Sequence, residues 1–280
     1  MKKIIRELTP PLLWKSLRSL KAVLTGYVEW EYMPNGWQEA NIDPKIKGWD
    51  VESVLEAYRS NWSNFLQTLE GNLPFGISPE SSSDVRVNPS FHNLMMTYAY
   101  ALALASRNKL SISMLDWGGG IGHYYLISQK LVVNLEIDYH CKDVPTLTKY
   151  GSELFPQAHF YIDETCLDRK YDFILASGSL QYSQDWATTL RRLSQATSGY
   201  LFVTRLPIVQ NVPSYVMVQR PYQYGYDTEY LGWCLNRQEF LSIANSLGLT
   251  LIREFIVQES EFIHGAPEQP WYLGFLFSAL

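Results

Sequence analysis

Apolar and polar positions change rhythm once along this chain. Up to about residue 108 the apolar residues recur at helical spacing. In "PLLWKSLRSLKAVL" Leu12, Leu13, Leu17, Leu20, Val23 and Leu24 share one face and Lys15, Arg18 and Lys21 another, which predicts an amphipathic helix over 11–24. Val51, Val54, Leu55, Tyr58, Trp62, Phe65, Leu66 and Leu69 keep the same period, with Asp50 placed to cap the helix and Gly71 to end it. "NLPFGISPESSSDVRVNPS" breaks the period with Ser, Pro and Gly and reads as a loop or hinge, after which Asn88-Pro89 opens another helix. From Ser111 short apolar runs alternate with helical segments. "SISMLDW", "LEIDYHCKDV", "AHFYID", "YDFILAS", "GYLFVTR", "LTLIREFIVQ" and "WYLGFLFSAL" read as strands. Helices follow the glycine turn after the first strand, Pro145 and Asp185. A last one starts at Asn236, with Glu239 in the capping-box position and Gly248 as its stop.

Alternation of this kind predicts an α/β fold with a mostly parallel, Rossmann-like sheet, its last two strands forming an antiparallel hairpin. The change of rhythm divides the chain into a helical N-terminal cap over 1–108 and a sheet domain over 109–280. An insertion at 206–236 is too long for a simple connection and reads as a lid over a substrate. Aromatic residues fill it: Tyr215, Tyr222, Tyr224, Tyr226, Tyr230 and Trp233, with Trp30, Tyr32 and Trp37 near the N-terminus. Such faces suit stacking on sugar rings or other flat groups, and equally serve as ordinary packing.

Composition adds limits rather than a function. The 280 residues are 46% hydrophobic and 18% charged with a net charge of −5, which argues against a general nucleic-acid surface. The longest apolar runs are too short to span a bilayer, and no secretory leader is read at the N-terminus. The basic face of 11–24 leaves two readings, a helix docked on its own domain or a peripheral membrane contact. Cys141, Cys166 and Cys234 form no CxxC pair and read as reduced thiols of a cytoplasmic protein. His92, His140 and His159 show no common ligand spacing, so no metal is expected.

The chemistry concentrates in "LDWGGGIGHYY". A P-loop needs Gly-Lys-Ser/Thr after four intervening residues, and a dinucleotide fingerprint needs a glycine at the sixth position from Gly118; both places meet His123 instead. The pattern D-x-G-x-G-x-G is met in full by Asp116, Gly118, Gly120 and Gly122, with Gly119 between them. An acid beside the turn disfavours a pyrophosphate and favours the sulfonium and ammonium of S-adenosylmethionine. Asp143, about twenty residues on, stands where an acid holds a ribose hydroxyl pair or, alternatively, caps the helix at Pro145. Asp163 ends the third strand and is a candidate for the adenine amino group or a plain surface acid. Ser177 and Gly178 lie at the carboxyl edge of the fourth.

In this order "LDWGGGIG", "KDVP", "YDFILASGSLQY" and "GYLFVTR" resemble the class I S-adenosylmethionine-dependent methyltransferases. "DWGGGIGHYY", "SGSLQY" and "TRLPIVQN" further resemble a group of bacterial methyltransferases often encoded among cell-surface polysaccharide genes. The resemblance covers the chain from about Ser111 onward. It implies a seven-stranded sheet with a carboxy-terminal hairpin, and methyl transfer to a small-molecule or saccharide hydroxyl, with N-methylation of a small metabolite as the alternative. A non-catalytic scaffold that kept the fold and a nicotinamide oxidoreductase are the rivals from other classes.

A hydroxyl acceptor benefits from a general base. His123, in the first helical turn after the glycines, should be neutral there, as a base or as a wall of the pocket. His264, with Glu259 and Glu261, lies in the loop between the last two strands. Tyr182 and Arg205 follow the fourth and fifth strands, and Arg205 suits either an anionic acceptor or a structural ion pair.

Overall fold

Ten strands form one connected sheet in the computed structural model, which describes residues 27–41, 43–72, 74–76, 78–80, 88–257 and 261–279. They are β1 (Trp30–Met33), β2 (Ser111–Trp117), β3 (Glu136–Lys142), β4 (His159–Tyr161), β5 (Tyr171–Ser177), β6 (Thr197–Val209), β7 (Tyr215–Gln219), β8 (Tyr230–Asn236), β9 (Thr250–Ile256) and β10 (Trp271–Ser278). The helices are α1 (Glu52–Glu70), α2 (Pro89–Ala105), α3 (His123–Leu131), α4 (Pro145–Leu154), α5 (Trp186–Ala196) and α6 (Arg237–Ser246). The amphipathic segment 11–24 and Glu259 lie outside the described residues.

Seven of the strands are those read from the sequence. They run in the order β4-β3-β2-β5-β6-β10-β9, all parallel except β10, which is antiparallel to both of its neighbours. The central strands are covered on both faces. Phe173, Leu175, Tyr139 and Met114 turn to the α2–α3 side, and Leu115, Ile174, Ala176, Leu201 and Val203 to the α5–α6 side. On that second side Phe240 of α6 is fully buried against Trp186, Phe275 and Phe277. All three cysteines are free thiols and buried.

The expected count of seven strands is corrected to ten, because the insertion is not a loop. Its residues build β7 and β8, which pair antiparallel with each other, and β1 adds to β7. This second sheet joins the first through Ile208 and Val209 of β6, paired with Leu235 and Asn236 of β8. Tyr215, expected to face a substrate, is core: its ring meets Tyr32 edge-on and its hydroxyl donates to the Glu268 carbonyl at 2.7 Å.

The helical N-terminal cap is likewise corrected. α2 lies directly on the main sheet, with Leu94, Tyr98 and Leu102 in the same core as Met114 and Phe173. α1 continues that layer, so the helical residues belong to the sheet domain's own core. Asn88 caps α2 through the Ser90 amide and Asn236 caps α6 through the Glu239 amide, as their types predict. Asp50 does not cap α1. Its carboxylate accepts from the Thr146 amide, tying the start of α4 to the segment before α1.

Replacing Phe240 with Ala should lower unfolding free energy by about 3–5 kcal/mol through the cavity left behind. Leu110→Ala, at a side chain 85% exposed, should change it by less than about 0.5 kcal/mol. Urea denaturation of the two variants checks both.

Candidate active site

The glycine turn follows β2 at the carboxyl ends of the parallel strands, where ligands of open α/β sheets bind. Gly118, Gly120 and Gly122 have positive φ, and no glycine of the turn has room for a Cβ. At Gly118 a Cβ would meet Ser179, at Gly119 the Asp116 carboxylate and at Gly120 the Tyr58 hydroxyl. At Gly122 it would meet the Phe160 ring, so all four positions are filled from within the chain.

The turn is also wired to itself and to β3. The amides of Gly118 and Gly119 donate to the Lys142 carbonyl, and that of Gly122 to the Gly119 carbonyl. The Gly120 amide donates to Asp143 Oδ2 at 2.6 Å, and the Val144 amide to Oδ1 at 2.7 Å. Burial pushes Asp143 up, and those two amides and Lys142 pull it back. A carboxylate has about four lone-pair sites, so both oxygens keep capacity for further donors.

Asp116 is placed differently. It is wholly buried under Gly119, where Oδ2 accepts from the Tyr139 hydroxyl at 2.5 Å and Oδ1 has no partner among the described residues. Burial lifts its carboxyl to about 7, against the pull of the Tyr139 bond. His123 is buried too, its ring 4.8 Å from Tyr124 and within 6.4 Å of Phe65 and Tyr58. Burial, helped by the charge of Arg205, drives it down to about 3, and Nδ1 has no partner among the described residues. An imidazole in that state stays neutral and holds a proton poorly. Gln181 Oε1 and Thr204 Oγ1 are also buried without a partner, so orphaned polar atoms gather around the carboxyl ends of β2, β5 and β6.

Other expected residues fall on both sides of this boundary. Ser177 bonds the Tyr124 hydroxyl at 3.0 Å, and Gly178 supports the Arg205 side chain from below. Tyr182 packs edge-on against Trp49 and Tyr230, whose rings stack at 4.2 Å. Arg205 has φ +53, rare for a residue with a side chain. It sits where β6 leaves β5 at Thr204, and where β10 advances two residues while β6 advances three, the mark of a β-bulge. Asp163 is exposed, and its Oδ1 accepts from the amide and hydroxyl of Thr165, so it caps a short turn. His264 is held by backbone bonds to Trp30 and Tyr32 of β1, and its contacts among the described residues run to that strand.

Two groups escaped the sequence reading. Glu80, in the Ser/Pro-rich segment, accepts from the Tyr58 hydroxyl at 2.5 Å and from the Tyr226 hydroxyl at 3.3 Å. It thus fastens α1 and the insertion over Gly120, and no local pattern could have signalled a link between residues 58, 80 and 226. His140 and His159, dismissed for want of spacing, stand side by side because β3 and β4 are in register there.

No family model and no curated protein matches the chain. Among solved structures, the N-terminal domain of EvdMO1, determined with SAH and D-fucose, aligns with TM-score 0.49 at 11% identity, over 79% of this chain and 97% of its own. The 1,6-didemethyltoxoflavin-N1-methyltransferase of Burkholderia thailandensis aligns with TM-score 0.46 at 14% identity, over 85% of this chain and 96% of its own. A SAM-dependent methyltransferase of Methanosarcina mazei aligns with TM-score 0.45 at 12% identity, over 61% of this chain and 93% of its own. These are likenesses of chain course, not of site residues.

The two shifted groups make a pH prediction. Folding raises Asp116 from 3.8 to about 7, so its contribution weakens as pH rises through that window. Folding lowers His123 from 6.5 to about 3, so its contribution weakens as pH falls through that window. Between about 4 and 6.5 the slopes oppose, each up to about 1.4 kcal/mol per pH unit. Asp116→Asn should therefore leave a stability that rises with pH across that range, and His123→Gln one that falls. Urea midpoints at four pH values check this; parallel profiles for both variants would refute it.

Proposed function

We propose that this chain is an S-adenosylmethionine-dependent methyltransferase that acts on a hydroxyl of a saccharide or related small molecule. The observation that carries the reading is the glycine turn with Asp143 bonded across it. A full D-x-G-x-G-x-G stands at the carboxyl end of β2, and the second acid reaches it from the end of β3 with lone pairs to spare. The residues present fit that cofactor. Asp143 suits the ribose hydroxyls, and the orphaned Gln181 Oε1 suits a ligand bearing ammonium charge. When bound, the cofactor supplies a methyl group on a cationic sulfur.

The chain's own part is to position the acceptor, exclude water and take a proton. His123, held near 3, serves better as a neutral wall than as a base. The proton acceptor we favour is Glu80 acting with Tyr58, whose hydroxyl lies over Gly120. Tyr58 would pass its proton to the Glu80 carboxylate as it takes one from the acceptor hydroxyl. Trp49, Tyr182, Tyr226 and Tyr230 form the aromatic wall in which a sugar ring or other flat acceptor would sit. Arg205 stands beside it for an anionic substituent. N-methylation of a small metabolite is the second reading; it needs no base, and a reaction indifferent to Glu80→Gln would favour it. We place the protein in the cytoplasm on its thiols. Among the described residues no helix is long and apolar enough to cross a membrane.

Calorimetry with S-adenosylhomocysteine tests the reading. The chain should bind one equivalent, and Asp143→Ala should weaken binding tenfold or more, about 1.4 kcal/mol. Binding of NAD in its place, or of neither ligand, would overturn it. With any acceptor that turns over, Glu80→Gln should cost about 10²-fold in kcat.

A further inference from the structure

We propose that Asp138, His140 and His159 form a binding site for one divalent transition-metal ion, zinc being the best fit, at the β3–β4 edge of the sheet. Parallel pairing sets His140 opposite His159, and their rings stack at 4.5 Å and 22°. Asp138 lies two residues before His140, hence on the same face of β3. One ligand atom from each residue lies within 4.8 Å of the others. Asp138 Oδ1 is 3.0 Å from His140 Nε2 and 3.6 Å from His159 Nε2. Ligands about 2.1 Å from a tetrahedral zinc stand about 3.4 Å apart, close to these separations, and the exposed His159 ring has to turn out of the stack for both lone pairs to meet one ion.

Orientation supports the same conclusion. The Tyr161 hydroxyl lies 2.9 Å from His140 Nδ1, which fixes the ring and turns Nε2 into the cluster, as an outer partner does for a metal-binding imidazole. Nε2 is then asked for two incompatible things. Arg169 Nη1, a donor only, lies 2.9 Å away and needs a lone pair there. Asp138 Oδ1, an acceptor when ionised, lies 3.0 Å away and needs a proton there. A metal ion removes the conflict, because Nε2 and Oδ1 then both give lone pairs to it.

The guanidinium already places a cation against these ligands. Arg169 also holds Asp138 Oδ2 at 2.9 Å and packs over the Tyr171 ring, which meets His140 edge-on. Its side chain is half exposed, so Nη1 can leave the seat while the rest of the contact survives. Two imidazoles and one carboxylate suit zinc, with water as the fourth ligand on the open side. The site is separate from the glycine turn: Tyr139 and Cys141 alternate to the opposite face, where Tyr139 meets Asp116. An ion there would pin β4, three residues long at the sheet's edge, to β3.

Zinc and cobalt titrations of the untagged, chelator-treated full chain test this, by calorimetry and by the visible absorption of bound cobalt. The wild-type chain should bind one equivalent with a tetrahedral cobalt spectrum. His159→Gln, at an exposed position that leaves folding intact, should weaken binding at least tenfold, and Arg169→Gln should strengthen it. Absence of stoichiometric binding by the wild-type chain overturns the proposal, even if Arg169→Gln binds. So does binding that His159→Gln leaves unchanged.

Discussion

Four elements meet on the backbone of residues 118–122, and the rest of the molecule is arranged around that meeting. Ser179 arrives from the end of β5, Asp116 from β2, Phe160 from β4 and Tyr58 from α1, each against a glycine with no room for a Cβ. The close approach is what makes the glycines necessary, as much as their positive φ. It also makes the turn rigid, because its amides are already committed to Lys142, Asp143 and Gly119. A rigid cradle of this kind loses little entropy when it receives a ligand. It leaves Asp143, whose two oxygens each accept one backbone amide, with lone pairs to spare beside the turn.

The second organising feature is the bulge at Arg205. A strand that pairs with β5 and β10 along most of its length must turn before it can pair with β8, and the extra residue at 204–205 supplies the turn. The strain of φ +53 is local, and two contacts hold it: Gly178 lies under the Arg205 side chain, and Gln181 donates to its carbonyl at 3.4 Å. The second sheet is thereby swung over the carboxyl ends of the first. Tyr226 and Tyr230 reach Trp49 and Glu80 only because of that swing. The bend that shapes the sheet is therefore the same feature that closes an aromatic wall over the candidate site.

The seven main strands were legible because each is a short apolar run bounded by turn residues, and the caps at Asn88 and Asn236 because side-chain type decides them locally. The insertion was not. Every residue of β7 is buried and β8 is nearly so, so neither shows the apolar–polar alternation that marks a half-buried strand. Asp50 is a good cap by type, yet it bonds residue 146, a tertiary contact overriding a local preference. The same limit hid Glu80 and the His140–His159 pair. Their partners lie 22 or 146 residues away for Glu80, and across a strand register for the histidines. The glycine turn was visible because it is one contiguous motif; the aromatic and acidic groups around it, Trp49, Glu80, Tyr182 and Tyr226, come from four separate segments.

That difference bears on how charge selects the cofactor. From the sequence alone Asp116 is the natural source of attraction for a cationic ligand. In the fold it lies beneath Gly119, where burial raises its carboxyl to about 7. Its carboxyl instead packs against Tyr139 and the underside of the turn. Asp143 differs, because two backbone amides stabilise its ionised form against the cost of burial. The two carboxylates of the motif thus differ in their donors: Asp116 has the Tyr139 hydroxyl and supports the loop, while Asp143 has two backbone amides that offset part of the burial that raises it. Under the proposed function, selectivity for a cationic cofactor over a pyrophosphate would rest mainly on Asp143. A phosphate near it would meet a carboxylate already anchored in place, while ribose hydroxyls would meet acceptors ready for them.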